Sequence, residues 1–179
     1  MRRLIILLAF LIVASTAHAG EPQPLGIELG ASVAEVTKTF HNHQLRDKGT
    51  NAYSNGPMLQ MDGTGLDIDG LQTVLFVFDG ESKMTALMMT MDAGGMGKGN
   101  FEKVQSFLRK SYPLKSSDNP FVGNKHAVFE TAASRIELDA PHMSFDLTVT
   151  YMTKVFFKAF REARQAEEKN KEQSEGSRF

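Results

Sequence analysis

Five histidines, ten methionines and no cysteine set the limits of the chemistry this chain can perform. Thiol catalysis and thiolate metal sites are excluded at once. His41 and His43 have the most metal-like spacing. On a strand, residues i and i+2 share a face, but at a helix end they diverge by about 200°. A third ligand would have to come from His126, His142 or elsewhere. A solvated pair at a helix C-terminus, where a protonated imidazole favours the helix dipole, is the preferred reading, so neither a metal nor another cofactor is expected. Met84, Met88, Met89, Met91 and Met96 fall within thirteen residues, and thioethers bind Cu(I). Methionine also fills irregular cores and adaptable binding surfaces. On a strand Met84 and Met88 would share a face with Ala86, as core residues do. Core or partner surface is therefore the expected role, with a copper or small-ligand carrier as the alternative.

The motifs of catalysis are absent. There is no G-x-S-x-G and no H-E-x-x-H. Asp62, Asp67 and Asp69 miss the spacing of a calcium loop. Gly94 to Gly99 is glycine-rich, but Lys98 is followed by Gly99 and not by the hydroxyl residue of a phosphate cradle. The chain is expected not to be an enzyme.

The elements that would position these residues begin after a leader. Arg2 and Arg3, the apolar run Leu4 to Ala14, and Ala17-His18-Ala19 read as a cleaved signal peptide over residues 1–19. The apolar run is well short of the ~20 residues of a membrane span, so no stable membrane insertion is expected after cleavage. A cysteine-free exported chain has no disulfides and no acylated cysteine, and the periplasm is the expected location, with secretion as the alternative. Loss of two arginines leaves 18 basic residues against 21 acidic, a net charge of −3. That balance gives no electrostatic basis for nucleic-acid binding.

The centre of the chain is Leu71 to Met91, two strand-like runs around Asp79-Gly80, a pair suited to the positive-φ positions of a hairpin. Leu71, Leu75 and Val77 should point one way, with Val74, Phe76 and Phe78 the other. Leu87, Met89 and Met91 should oppose Met84, Ala86 and Met88. Both faces are apolar, so both need cover.

Around this ribbon the order helix-then-strands occurs twice, over about 25–91 and 100–152. In the first unit Leu25 to Glu28 reads as a short strand. Ser32 and Glu35 form a capping box for a helix of about three turns carrying Val33, Val36 and Phe40. A polar loop runs from Gln44 to Gly56, and Met58 to Met61 is a short strand. In the second, Asn100 caps a helix with Phe101, Val104, Leu108 and Tyr112 on one stripe. A polar loop follows over Lys115 to Gly123. Strands then span His126 to Thr131, Ser134 to Asp139 and Ser144 to Met152, the last with Phe145, Leu147, Val149 and Tyr151 on a dry face. The expected fold is α+β: one domain over 20–166, with an antiparallel sheet from the two units, helices on one face, and an amphipathic C-terminal helix over 154–166. Val155, Phe156, Ala159, Phe160, Ala163 and Ala166 would form that helix's apolar face. Residues 167–179 lack an apolar stripe and read as a disordered tail.

Leu25-Gly26-Ile27-Glu28-Leu29-Gly30-Ala31-Ser32-Val33-Ala34-Glu35-Val36 resembles the opening segment of small envelope proteins. Among these are the outer-membrane assembly lipoprotein family BamE (SmpA/OmlA) and the β-lactamase-inhibitor-like fold. Gly30, Ser32 and Val36 carry the match, and the doubled unit is similar to the tandem units of the inhibitor-like fold. The lipid-attachment cysteine and a Gly-x-Pro after the helix are missing. The resemblance implies a protein-binding module of the cell envelope, its partner an envelope protein that the sequence leaves unidentified. Phe156, Phe160, Met89 and Met91 are the expected contact residues. Mass spectrometry of the exported chain should find Gly20 as the first residue; an N-terminus at Met1 would refute the leader.

Overall fold

Phe76 and Leu87 stand opposite each other at the middle of the ribbon, and neither exposes any surface. They belong to β3 (Leu71–Asp79) and β4 (Met84–Asp92). The structure, a computed structural model, describes residues 20–94 and 98–176. The leader, Met96 of the glycine-rich segment and the last three residues lie outside it.

The remaining elements are α1 (Val33–Thr39), β1 (Arg46–Thr50), β2 (Asn55–Asp62), α2 (Lys98–Ser111), β5 (Leu114–Asp118), β6 (Lys125–Glu130), β7 (Ser134–Ala140), β8 (Asp146–Thr153) and α3 (Lys154–Gly176). The strands form one antiparallel sheet in the order β1-β2-β3-β4-β8-β7-β6-β5. Each of α1 and α2 is followed by a four-strand meander, and the last strand of each meander meets its counterpart at the centre. The architecture is α+β, with eight strands where the sequence pattern marks seven, the first of which, Leu25 to Glu28, does not form.

β1 and β5 are the strands that periodicity misses. Both replace expected loops, both lie at sheet edges, and every residue in them is exposed. With no buried side, RDKGT and LKSSD carry no alternating signal. Pairing with β2 and β6 alone defines them, and each ladder is irregular. Such irregularities and edge lysines (Lys48, Lys115) discourage further strand addition.

The capping box forms as expected, with the Ser32 hydroxyl and backbone N–H on Glu35 and the Glu35 N–H on the Ser32 oxygen. The helix it starts has two turns, not three. Between β3 and β4 the turn is longer than Asp79-Gly80. The Asp79 carboxylate accepts from the N–H groups of Glu81 and Lys83 at 3.0 and 2.9 Å, and Ser82, not Gly80, takes the positive φ. In β2, Gly56 approaches the Asp79 and Phe78 carbonyls so closely that a Cβ there would collide with backbone.

Two bulges change which side chains share a face. Register slips between Leu71 and Thr73, and again between Val77 and Phe78. Leu71 therefore joins Val74, Phe76 and Phe78 in the main core, and Met84 joins Leu87, Met89 and Met91 there. The expected grouping of Leu71 with Leu75, and of Met84 with Met88, does not hold, because a bulge reverses the pleat. Val36, Phe40, Phe101 and Leu108 from α1 and α2 belong to this same cluster, as do Leu147, Val149 and Tyr151 of β8. Phe145 does not: β8 starts after it, and it is 70% exposed.

The chain before α1 is a strap and not a strand. Pro24–Gly26 forms a single 3-10 turn with Leu25 and Gly26 at positive φ; proline at its first position lacks the N–H that a strand ladder would use. One end of the strap is held by Glu21. Its carboxylate accepts from the hydroxyls of Thr131 and Ser134, both at 2.7 Å, and from the Ala133 N–H at 3.0 Å. At the other end Gly30 and Ala31 exchange backbone hydrogen bonds with Met84, at 2.6 and 2.7 Å. Ile27 is buried between these anchors. The strap thus ties the β6–β7 turn of one unit to the β3–β4 turn of the other.

Phe76→Ala should cost about 3–5 kcal/mol of stability in urea titration, while Val155→Ser, at a site 82% exposed, should change it by less than about 0.5 kcal/mol. Desolvation raises the Glu21 pKa, but hydrogen bonds from Ser134, Thr131 and Ala133 and the charge of Lys154 outweigh it and hold the group below its ordinary value. Its stabilisation is then present above the ordinary carboxylate range and lost as pH falls through the depressed value. Glu21→Gln should flatten the acid limb of the stability–pH curve; an unchanged limb would show that the clasp does not form.

Candidate functional site

On the sheet side opposite the main core, Val77, Ala86 and Met152 form a second, smaller cluster. Phe156 and Phe157 of α3 pack on it, together with half-buried Met58 and Leu75. The helix reaches this place because β8 ends at Thr153 and α3 begins at the next residue. Lys154 fixes the start. Its N–H donates to the Ala133 carbonyl at 2.9 Å and its ammonium to the Thr131 carbonyl at 2.7 Å, and the Thr153 hydroxyl accepts from the Phe156 N–H at 3.2 Å. Phe160 meets Tyr53 edge to face at 4.9 Å. On the other flank the Arg135 guanidinium sits 4.2 Å from the Phe157 ring centre. These aromatic contacts stabilise the helix on the sheet.

The inward side of α3 is therefore Phe156, Phe157 and Phe160. Val155 and Ala159, expected on that side, face solvent. The helix also runs ten residues past the expected boundary at 166, to Gly176, and from Arg164 to Ser174 its side chains are exposed. Glutamate, lysine and glutamine are good helix formers without any apolar stripe, which is why periodicity stops before the helix does.

Away from α3 the same sheet side is open and graded in polarity. Leu75 and Met88, paired across β3 and β4, are half-exposed, and beside them Thr90 pairs with Thr148. Toward β6 and β7 the side chains become charged. Arg135 bridges Glu137 at 2.7 Å and Glu130 at 2.9 Å, and His126 contacts Asp139 at 2.6 Å. No buried side-chain nitrogen or oxygen among the described residues lacks a partner.

The two histidines of the metal-like spacing separate. His41 is exposed with Nδ1 against the Lys38 carbonyl at 3.1 Å, whereas His43 lies edge-on to Phe40 at 6.3 Å. Met84 is buried in the main core while Met88 is half-exposed on the opposite side, so the two do not share a face with Ala86 as expected. Met89 and Met91, expected at a partner surface, lie in the main core at 7% exposure. Among the described residues no group of three His, Asp or Glu side chains could hold a metal ion. Tyr151 is shut in the core and burial pushes its pKa up, which keeps the phenol protonated. Sequence patterning missed Phe157, which is out of phase with a 3.6-residue stripe through Phe156 and Phe160, and missed Tyr53, placed in a polar segment. No family model, curated protein or solved structure matches this chain.

Dilute peroxide followed by peptide mass mapping should oxidise Met143 and Met88 before Met84, Met89 and Met91. Early oxidation of Met84 together with Met88 would contradict the burial of Met84 in the main core.

Proposed function

We propose that this protein is an exported, non-catalytic protein-binding module of the cell envelope, periplasmic after removal of residues 1–19. In this reading α1 and α2 cover one side of the doubled sheet, and α3 covers only part of the other. The observation that carries the proposal is that partial cover. Phe156 and Phe157 bury Val77 and Ala86, while Leu75 and Met88 one pair further along stay half-exposed beside a lane of threonines. A surface of that kind, apolar at its centre and polar at its rim, fits a protein partner. Inhibition of an exported enzyme, the role implied by the inhibitor-like resemblance, is one form of this function.

Against the competing copper-carrier reading, Met84, Met89 and Met91 are enclosed in the main core while Met88 is on the opposite side. A photo-crosslinking residue placed at Met88 or Thr150 in producing cells should yield one dominant protein adduct in the envelope fraction. The same residue at Glu81, on the β3–β4 turn, should yield none. Equal adducts at all three positions, or none at Met88 and Thr150, would refute a partner on this side of the sheet.

A further inference from the structure

Four large apolar side chains stand out of the loops at the end of the sheet away from α3's first turn. Phe121 and Val122, between β5 and β6, are 84% and 66% exposed. Met143 and Phe145, between β7 and β8, are 78% and 70% exposed. The two loops are neighbours: the His142 N–H donates to the Asn124 side chain at 2.7 Å, and β6 and β7 pair at Lys125 and Ala140 just behind them. Lys125 pins the first loop from below, its buried ammonium donating to Asn119 at 2.7 Å and to the Pro120 carbonyl. The second loop holds Met143 at φ 61, a conformation that side-chain-bearing residues rarely adopt. Isolated exposed apolar residues need no explanation, but a concentration of this size at one end of a monomer marks an interaction surface.

The charges around these loops decide what kind of surface it is. Asp92 and Asp146 end β4 and β8 as a directly paired couple. Like charges placed opposite each other across two strands are destabilising. The Asp92 carboxylate accepts from the Gly94 N–H, and among the described residues no cation bridges the two. Phe145 directly precedes Asp146, and its carbonyl accepts from Ala93 next to Asp92 at 2.7 Å. On the far side of Asp92 lies a groove of about 380 Å³, lined by Ile68, Val104 and Phe107 with Asp67 and Asp69 at its wall. Asn100 links groove and aspartate, donating to the Asp92 carbonyl at 2.8 Å. Apolar groups and carboxylates thus alternate along this end of the molecule, Asp69 being paired with Lys103 of the groove at 3.2 Å.

We propose that this loop end is a second docking surface, for a basic amphipathic segment of another protein. Lysine or arginine side chains of that segment would relieve the Asp92–Asp146 couple while its apolar side packs on Phe121, Met143 and Phe145. An anionic lipid surface would bring further negative charge to the same place and is disfavoured electrostatically.

The test uses the mature protein with methyl-labelled methionine and two synthetic helical peptides of equal length, one of leucine and lysine, the other of leucine and glutamate. The lysine peptide should shift the Met143 methyl and the amides of 119–124 and 141–146, leaving Met89 and Met91 unmoved, and the glutamate peptide should not. Two double variants divide the surface into its parts. Phe121→Ser with Phe145→Ser removes the apolar component, and Asp92→Asn with Asp146→Asn removes the charge. Each should weaken lysine-peptide binding at least tenfold without lowering the urea midpoint. Equal response to both peptides, shifts confined to Met88 and α3, or a Met143 shift produced by phosphatidylcholine vesicles without peptide would each overturn the proposal.

Discussion

The organising constraint is the two-sided apolarity of the β3–β4 ribbon. Its side chains are apolar above and below, and it occupies the middle of the sheet, next to β8. Main-chain pairing satisfies the ribbon's edges but does nothing for its faces. The main core supplies one cover, with α1, α2 and the buried Ile27 of the strap contributing side chains to it. The other cover is α3, which can reach the ribbon only because it starts where the adjacent strand ends. Burial on the two sides is unequal, complete around Phe76 and Leu87 but partial around Leu75 and Met88. That inequality leaves part of the second side exposed.

The β6–β7 turn joins the two covers. Thr131, Ala133 and Ser134 hold Glu21 of the strap, and the carbonyls of Thr131 and Ala133 hold Lys154 at the base of α3. One turn thus anchors the first residues of the described chain and the helix at its other end. Local order at this turn therefore bears on both sides of the sheet together, through hydrogen bonds and not through packing alone.

Much of this arrangement was legible in the residue pattern, and the failures have identifiable causes. The capping box of Ser32 and Glu35, the α2 stripe through Phe101 and Leu108, and the alternation of Leu147, Val149 and Tyr151 all produced the elements they indicate. Each depends on local hydrogen bonding or on a simple period. Edge strands β1 and β5 were invisible because no residue in them is buried, and strand formation there is imposed by a neighbour. The two bulges were equally hidden, since a one-residue slip leaves composition unchanged while moving Met84 and Leu71 to the other side. The same slip separated Met84 from Met88, which simple alternation puts on one face with Ala86. Phe145 misled in the opposite sense. It continues the alternation of β8 into a loop, and only the strand boundary at Asp146 reveals that nothing covers it.

The claim that α3 shields the ribbon can be measured directly by solvent paramagnetic relaxation on methyl groups. With a soluble gadolinium chelate, Val77 should be protected nearly as well as Val74, Leu75 should relax at an intermediate rate, and Val155 should relax fastest. In a Phe156→Ala, Phe157→Ala double variant, Val77 should move toward the Val155 rate while Val74 stays protected. A wild-type Val77 that relaxes as fast as Val155, or one indifferent to loss of both phenylalanines, would contradict the two-sided cover from which the rest of the structure follows.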